Sequence, residues 1–417
     1  MVSSDPKIQY QGRWAVVSLL FLGVLVSYID RGNLSIAAVP IMKDLKLSPA
    51  VMGTLMSAFF WSYSLLQIPA GYLIDRFGYK WTYGAAFILW SLASTGIGLA
   101  HSFYQILFLR LLLGVGEAVA GPASLSFIKR HFQPEEQGLP TSIYVSGMMV
   151  GPAIGALLGG LFLHELGWRP LFVLTGLIGF VWLLPWLLVV RPNYEEASPR
   201  AIRKITMTAR TTLPWRELAF SSLAWGITIN VFFYSYFWYF CLTWLPSYLL
   251  MVHDFSFLRM GTYMALPLVG MALVSTICGR AADRLIVRSQ QPFLIRKTFI
   301  VVGMILASAI LLLLVVKNTF TLFPVLLISL MGLGVAAGNY WSLTQLISPP
   351  DWIGRVAGYQ NMVAQFAGIC APALTGYLVG ESRRFELSIF FAGISPLVAA
   401  SVVFFLIREK DVIALRN

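Results

Sequence analysis

Apolar residues come along this chain in blocks of about 20, separated by short polar joints, and a block of that length crosses the hydrocarbon core of a bilayer as one helix. The pattern predicts helices at about 14–40, 51–73, 81–100, 104–128, 138–163, 168–190, 218–251, 257–280, 298–316, 319–347, 353–380 and 386–407. That makes twelve spans in an all-α membrane protein. The run beginning at Trp14 is too long for the apolar part of a cleavable signal peptide, and no small-residue cleavage pattern follows it. It is expected to be the first membrane helix.

Composition agrees with the pattern. The 417 residues are 58% hydrophobic and 12% charged, with a mean hydropathy of +0.76, whereas soluble domains carry about a quarter charged residues. The formal charge of +12 invites a nucleic-acid reading, but the placement of the basic residues argues against it. Joints on the N-terminal side of the bundle carry 21 of the 30 Lys and Arg, and those on the opposite side carry 7. A bias of that size is topological: it puts both termini in the cytoplasm and removes the reason to expect a nucleic-acid partner. The expected solvent is the lipid bilayer. Cys241, Cys278 and Cys370 sit singly in apolar helices and form neither a disulfide framework nor a metal-ligand spacing.

The chain also repeats itself. GYLIDRFG starts at Gly71 and GRAADRLI at Gly279, 208 residues later. Gly114-x-Gly116 is answered by Gly332-x-Gly334, and Gly151-Pro152-Ala153 by Ala371-Pro372-Ala373. Two parallel six-helix halves are a known transporter plan. The expected division is an N-terminal bundle over 1–190, a Pro- and charge-rich cytoplasmic linker over 191–217, and a C-terminal bundle over 218–417. The duplicated signature, with Lys80 following its first copy, resembles that of the major facilitator superfamily, and the resemblance covers the whole chain. Asp75, Arg76, Asp283 and Arg284 can pair with helix ends on the cytoplasmic side. They are the candidate gating residues.

Charge inside a span is the sharpest functional signal, because it costs several kcal/mol unless it meets a partner or a wet cavity. Four strongly ionisable residues lie well within spans: Asp30 and Arg31 in the stretch YIDRGNL, and Arg110 and Glu117 in span four. Arg110 and Glu117 are seven apart and share a helix face; Asp30 and Arg31 diverge by about 100°. One of that pair is expected to face a central cavity while the other reaches span four. Desolvation opposes ionisation of such carboxylates and a neighbouring arginine favours it. An anion that takes the arginine therefore promotes proton binding by the acid, the positive linkage that symport requires. Asp30 and Glu117 are the proton-coupling candidates, and Arg31 and Arg110 the anion-binding ones. His101, His131, His164 and His253 fall at span ends or in loops.

YIDRGNLSIA, SAFFWSYSLLQIPAGYLIDRFG, RLLLGVGEA and WYFCLTWLPSYL resemble the anion:cation symporter branch of the superfamily, which includes bacterial transporters of galactonate, glucarate and hexuronates and relatives of sialin. The resemblance implies proton-driven uptake of an organic anion, often a sugar acid. It implies proton carriage at Asp30 and Glu117, carboxylate binding or coupling at Arg31 and Arg110, and a substrate cavity lined by Tyr28, Tyr63, Trp341 and Asn361. The residues themselves add Gln67, one turn from Tyr63 on the same face, and Gln365 beside Asn361. Span four departs from the galactonate and glucarate carriers at Gly121–Ser126. A glutamine expected on span five corresponds to about Met148, which makes the first-half cavity less polar.

Two alternatives stay open. SGMMVGPAIGALLGG in span five resembles a motif of drug:proton antiporters, although small residues with a proline also serve close helix packing. An organic-anion exchanger could use the same central acids. The sequence carries no nucleophile elbow, phosphate loop or metal cluster, so no enzyme and no cofactor are expected; the proton gradient is the remaining energy source. The expectation is a monomeric, multi-pass transporter of a bacterial inner membrane working by alternating access.

Overall fold

The computed structural model describes residues 6–133, 136–190, 222–316, 318–347, 353–380 and 384–408; the expected linker lies outside them. Every regular element among the described residues is helical. The chain divides into two compact units, Met1–Leu45 with Ala58–Leu213, and Lys46–Ser57 with Pro214–Asn417.

The first unit contains α1 (Pro6–Ile36), α2 (Ala38–Asp44), α3 (Pro49–Phe77, whose first turns belong to the second unit), α4 (Tyr79–Gly98), α5 (Phe103–Glu117), α6 (Ala120–His131), α7 (Gly138–Glu165) and α8 (Trp168–Val189). The second contains α9 (Ser222–Thr243), α10 (Leu245–Val252), α11 (Phe257–Ser289), α12 (Pro292–Ala307), a 3-10 segment (Ser308–Leu314), α13 (Thr319–Ile347), α14 (Ile353–Val379) and α15 (Glu386–Leu406). Ten helical stretches of the described residues are long and apolar enough to cross a membrane. The expected third and seventh spans form the 20-residue α4 and 22-residue α9 but are not among the ten. Their Tyr, Trp, Ser and Asn dilute the apolar character.

Three expected spans are interrupted where the backbone loses a partner. The first breaks at Ala37, between α1 and α2. The fourth breaks after Glu117: Pro122 has no N–H to offer the Ala118 carbonyl, and the chain tightens with Val119 N–H bonding Gly116 O at 3.4 Å. The seventh breaks at Trp244, two residues before Pro246. The ninth starts earlier than expected, at Pro292, so Arg296 and Lys297 lie on the helix, and its far end tightens into the 3-10 segment.

Within the first unit α1 packs on α7, and α4 on α5 and α8. Phe87 stacks on Trp182 with centroids 3.8 Å apart, and the indole N–H groups of Trp182 and Trp186 donate to Leu19 O and Lys80 O. Gly147, Gly151, Gly155 and Gly159 of span five face α1. A side chain on Gly147 would meet Phe21 O at 2.9 Å, one on Gly151 Tyr28 Cβ at 2.7 Å, one on Gly159 Ile36 Cδ1 at 3.0 Å. The antiporter-like stretch thus has a packing explanation: a four-residue stripe of small residues that lets two backbones close.

The internal repeat is visible in the same kind of contact, with its register corrected. A side chain on Gly114 would press on α3 at the Phe59 carbonyl and the Tyr63 amide; one on Gly334 would press on α11 at Met271. Tyr63 and Met271 are separated by the 208 residues of the signature repeat. Gly114 therefore corresponds to Gly334 rather than to Gly332.

Candidate functional site

Ser27 and Arg31 are one helical turn apart on α1 and present the same face to the C-terminal end of α5, which closes at Glu117. Glu117 is fully buried, and its Oε2 accepts from Ser27 Oγ and from Arg31 Nε, each at 2.6 Å. Three rings surround the Arg31 guanidinium: its Cζ lies 4.6 Å from the Tyr28 centroid, 4.7 Å from Phe59 and 4.6 Å from Tyr63. Charge-assisted hydrogen bonding and cation–π attraction hold this cation together.

Asp30 goes elsewhere. It is 1% exposed and points into a neutral nest, where Oδ1 accepts from Ser94 Oγ at 3.0 Å and from Asn33 Nδ2 at 3.5 Å. Asn33 in turn donates to Thr175 Oγ1 at 2.9 Å. The expectation that one member of the Asp30–Arg31 pair reaches span four is met by Arg31. The expectation that the other faces a central cavity is not met by Asp30, because its direction around α1 aims it at α4 and α8. The four-member network expected from sequence is one ion pair, one acid among hydroxyls, and one further arginine. Arg110 is also buried, 5.3 Å from the Phe59 centroid, and its Nε and Nη1 make no hydrogen bond among the described residues. Gln67 lies half-buried one turn beyond Tyr63 on α3.

Second-unit candidates form separate clusters. Gln365 is buried, accepts from the Tyr239 hydroxyl and donates to Asn361 Oδ1, both at 3.3 Å. Trp341 is half-exposed and meets Tyr340 edge-on, while Tyr340 stacks on Tyr234 with centroids 5.4 Å apart. Of the gating candidates, Asp75 pairs with Arg130 at 3.6 Å, and Arg76 is exposed over the Phe77 ring. Asp283 pairs with Arg296, which also donates to Asn339 Oδ1 at 2.8 Å; Arg284 is exposed.

Sequence reasoning missed Ser27, Asn33, Phe59, Ser94 and Thr175. Ser27 and Asn33 could have been found by helical spacing from Arg31 and Asp30, and Phe59 by its spacing of four from Tyr63. Ser94 and Thr175 meet Asp30 only through the tertiary fold, with no local signal.

The described residues thus form apolar helices around an Arg31–Glu117 ion pair and a second buried arginine. Residues 20–372 match the sequence profile of the Major Facilitator Superfamily, and the chain belongs to that superfamily. It is a multi-pass membrane transporter, not an enzyme. It is 30% identical to a probable galactarate/D-glucarate transporter of Escherichia coli (strain K12), over 95% of each chain. It is 28% identical to a probable L-galactonate transporter of the same strain, over 94% of this chain and 88% of the relative. Identity is also 28% to a hexuronate transporter of Bacillus subtilis (strain 168), over 94% of each chain. Among solved structures, a bacterial homologue of the human lysosomal transporter Spinster matches with a TM-score of 0.78 at 20% identity, over 96% of this chain and 98% of that one. A D-xylose–proton symporter matches with a TM-score of 0.76 at 14% identity, over 95% and 98%. At these identities the structural matches establish the fold.

Proposed function

We propose that this protein imports a sugar acid in symport with protons, by alternating access, across a bacterial inner membrane. The observation that carries the reading is the Arg31–Glu117 pair, 2.6 Å apart with Glu117 fully buried and three rings around the guanidinium, together with a second arginine on the Phe59 ring that makes no hydrogen bond through Nε or Nη1. Relatives named for galactarate, glucarate, galactonate and hexuronates support an anionic, polyhydroxylated solute.

In the proposed cycle a proton on Glu117 removes the charge that holds Arg31, and the substrate carboxylate supplies a replacement. Arg110 offers a second donor fork of the planar geometry that suits carboxylate. Proton and anion then favour each other's binding by the same factor, as linkage requires. Asp30 is the second proton site: the Ser94 and Thr175 hydroxyls can each donate or accept, so the nest accommodates either form of the acid. After substrate leaves, the deprotonated Glu117 re-pairs with Arg31 and the empty carrier returns. Twelve spans, cytoplasmic termini, a monomeric unit and a proton gradient acting without any cofactor complete the proposal. The glycine stripe on α7, occupied in packing against α1, supports this reading over the drug:proton antiporter.

The test is uptake of labelled galactarate, D-glucarate, galactonate and a hexuronate into proteoliposomes with an imposed pH gradient, alkaline inside. Accumulation of one of them above its external concentration, abolished by a protonophore, supports symport. Transport of hydrophobic cations with none of the acids carried sinks it.

A further inference from the structure

Two guanidiniums of the cluster share one aromatic ring. Phe59 is fully buried, with Arg31 Cζ 4.7 Å and Arg110 Cζ 5.3 Å from its centroid. Tyr63 stacks on the same ring at 5.2 Å and 25°. The main chain there is held as well, since the closeness of Gly114 leaves no room between α5 and the Phe59 carbonyl. Arg31 has Glu117 and two further rings; for Arg110, Phe59 is the ring contact that the described residues provide. Elsewhere in the same unit two carboxylate oxygens, Glu117 Oε1 and Asp30 Oδ2, also make no hydrogen bond. A buried guanidinium would ordinarily pair with a carboxylate. Something keeps Arg110 from doing so.

We propose that Phe59 is a positioning residue for the carboxylate of the transported anion: its π face holds the Arg110 guanidinium apart from Glu117 and Asp30, uncommitted and ready for a ligand. A flat aromatic face attracts a cation without neutralising it. A carboxylate partner would hold Arg110 more tightly but would have to be displaced at every substrate binding. Arg31, whose partner is released by protonation, reports the proton; Arg110, whose partner is a ring, is available at any pH. This inference rests on the anion-import reading for the identity of the ligand, but it concerns a residue to which that reading gives no role.

The test replaces Phe59 in the full-length protein with mono-, di- and trifluorinated phenylalanine, which weakens the ring's negative face at nearly constant shape. The readout is the Kd for D-glucarate or galactarate, whichever the wild type binds. The dissociation constant is expected to rise stepwise, by about tenfold over the series, since a cation–π contact of about 1 kcal/mol or more approaches one decade. Phe59→Leu should match the trifluorinated variant, and both should keep the pH at which uptake is half-maximal. A flat Kd across the series overturns the proposal, whereas a wild type that binds no sugar acid overturns the import reading instead. In that second case the ring is tested without ligand, by the guanidinium Nε resonance of isotope-labelled arginine assigned through Arg110→Lys. Movement of the Arg110 signal towards carboxylate-paired values on fluorination supports the role of the ring; an unmoved signal overturns it.

Discussion

The two units use one packing scheme for two kinds of chemistry. With Gly114 matched to Gly334, Arg110 falls opposite Leu330 and Glu117 opposite Ala337, and both second-unit residues are buried. The glycine contacts survive the repeat and the ionisable groups do not. Among the described residues, the first unit gathers an ion pair on a buried glutamate, a second acid and a second arginine, while the candidate site of the second is built from amides, hydroxyls and rings. Backbone closeness is a requirement of the shared fold, and the glycines that meet it recur in both units. On the proposed function, the first unit reads charge and protons and the second reads hydroxyls.

Loss of charge should break this comparison most severely. Arg110→Ala removes a guanidinium that makes no hydrogen bond through Nε or Nη1, so its effect should fall on the ligand: a charged hydrogen bond is worth about 1.5–3 kcal/mol, and the Kd for a sugar acid should rise by roughly 10- to 100-fold. Leu330→Ala, its second-unit counterpart, should leave that Kd within about twofold and register instead as a cavity cost of about 2–5 kcal/mol in stability. Glu117→Gln should abolish accumulation against a gradient while counterflow exchange persists, because the carrier can still bind and release but no longer exchanges a proton at that site. Concentrative uptake by Glu117→Gln would remove Glu117 from the coupling scheme.

The shared packing gives the next prediction. Leucine at Gly114 or at Gly334 should destabilise the purified protein by at least about 1–3 kcal/mol, the usual cost of overpacking. The two losses should be similar, read as shifts in thermal midpoint with no ligand present. A large loss at one site and none at the other would mean that the repeat is one of sequence and not of contact.

Much of this was legible before any coordinates. Blocks of apolar residues gave the helices, and the rarity of charge within them singled out Asp30, Arg31, Arg110 and Glu117. What the sequence could not tell was how these four divide. Residues 30 and 31 diverge around α1, but which neighbour each meets depends on the helices that pack there. Ser94 and Thr175 reach Asp30 only because α4 and α8 lie beside α1. Helix breaks at Ala37 and Trp244 were hidden inside continuous apolar runs. Asn339 is held by Arg296, a residue the sequence placed before the ninth span.

That amide separates the two copies of the signature. Asp75 meets Arg130 at 3.6 Å with its carboxylate mostly exposed, a surface pair worth roughly 0–1 kcal/mol. Asp283 meets an arginine that is itself fixed by Asn339. Asp283→Asn should therefore slow transport or lower stability more than Asp75→Asn does, and Asn339→Ala should reproduce part of the Asp283 effect without altering Asp75→Asn. Equal effects of the two aspartate changes would show that the Asn339 anchor contributes nothing.

The smallest effect belongs to the neutral cluster. Tyr239→Phe removes one hydroxyl and leaves the ring, so Gln365 loses a donor at 3.3 Å while its amide still reaches Asn361. A neutral hydrogen bond contributes about 0.5–1.5 kcal/mol, so the Kd for a favoured substrate should change by about two- to tenfold. The loss should depend on the substrate's hydroxyl pattern. Arg110→Ala should weaken every sugar acid alike. Measuring both variants against galactarate, D-glucarate and a hexuronate separates the roles: a uniform loss in Tyr239→Phe, matching that of Arg110→Ala, would mean that hydroxyl recognition does not reside in the second unit.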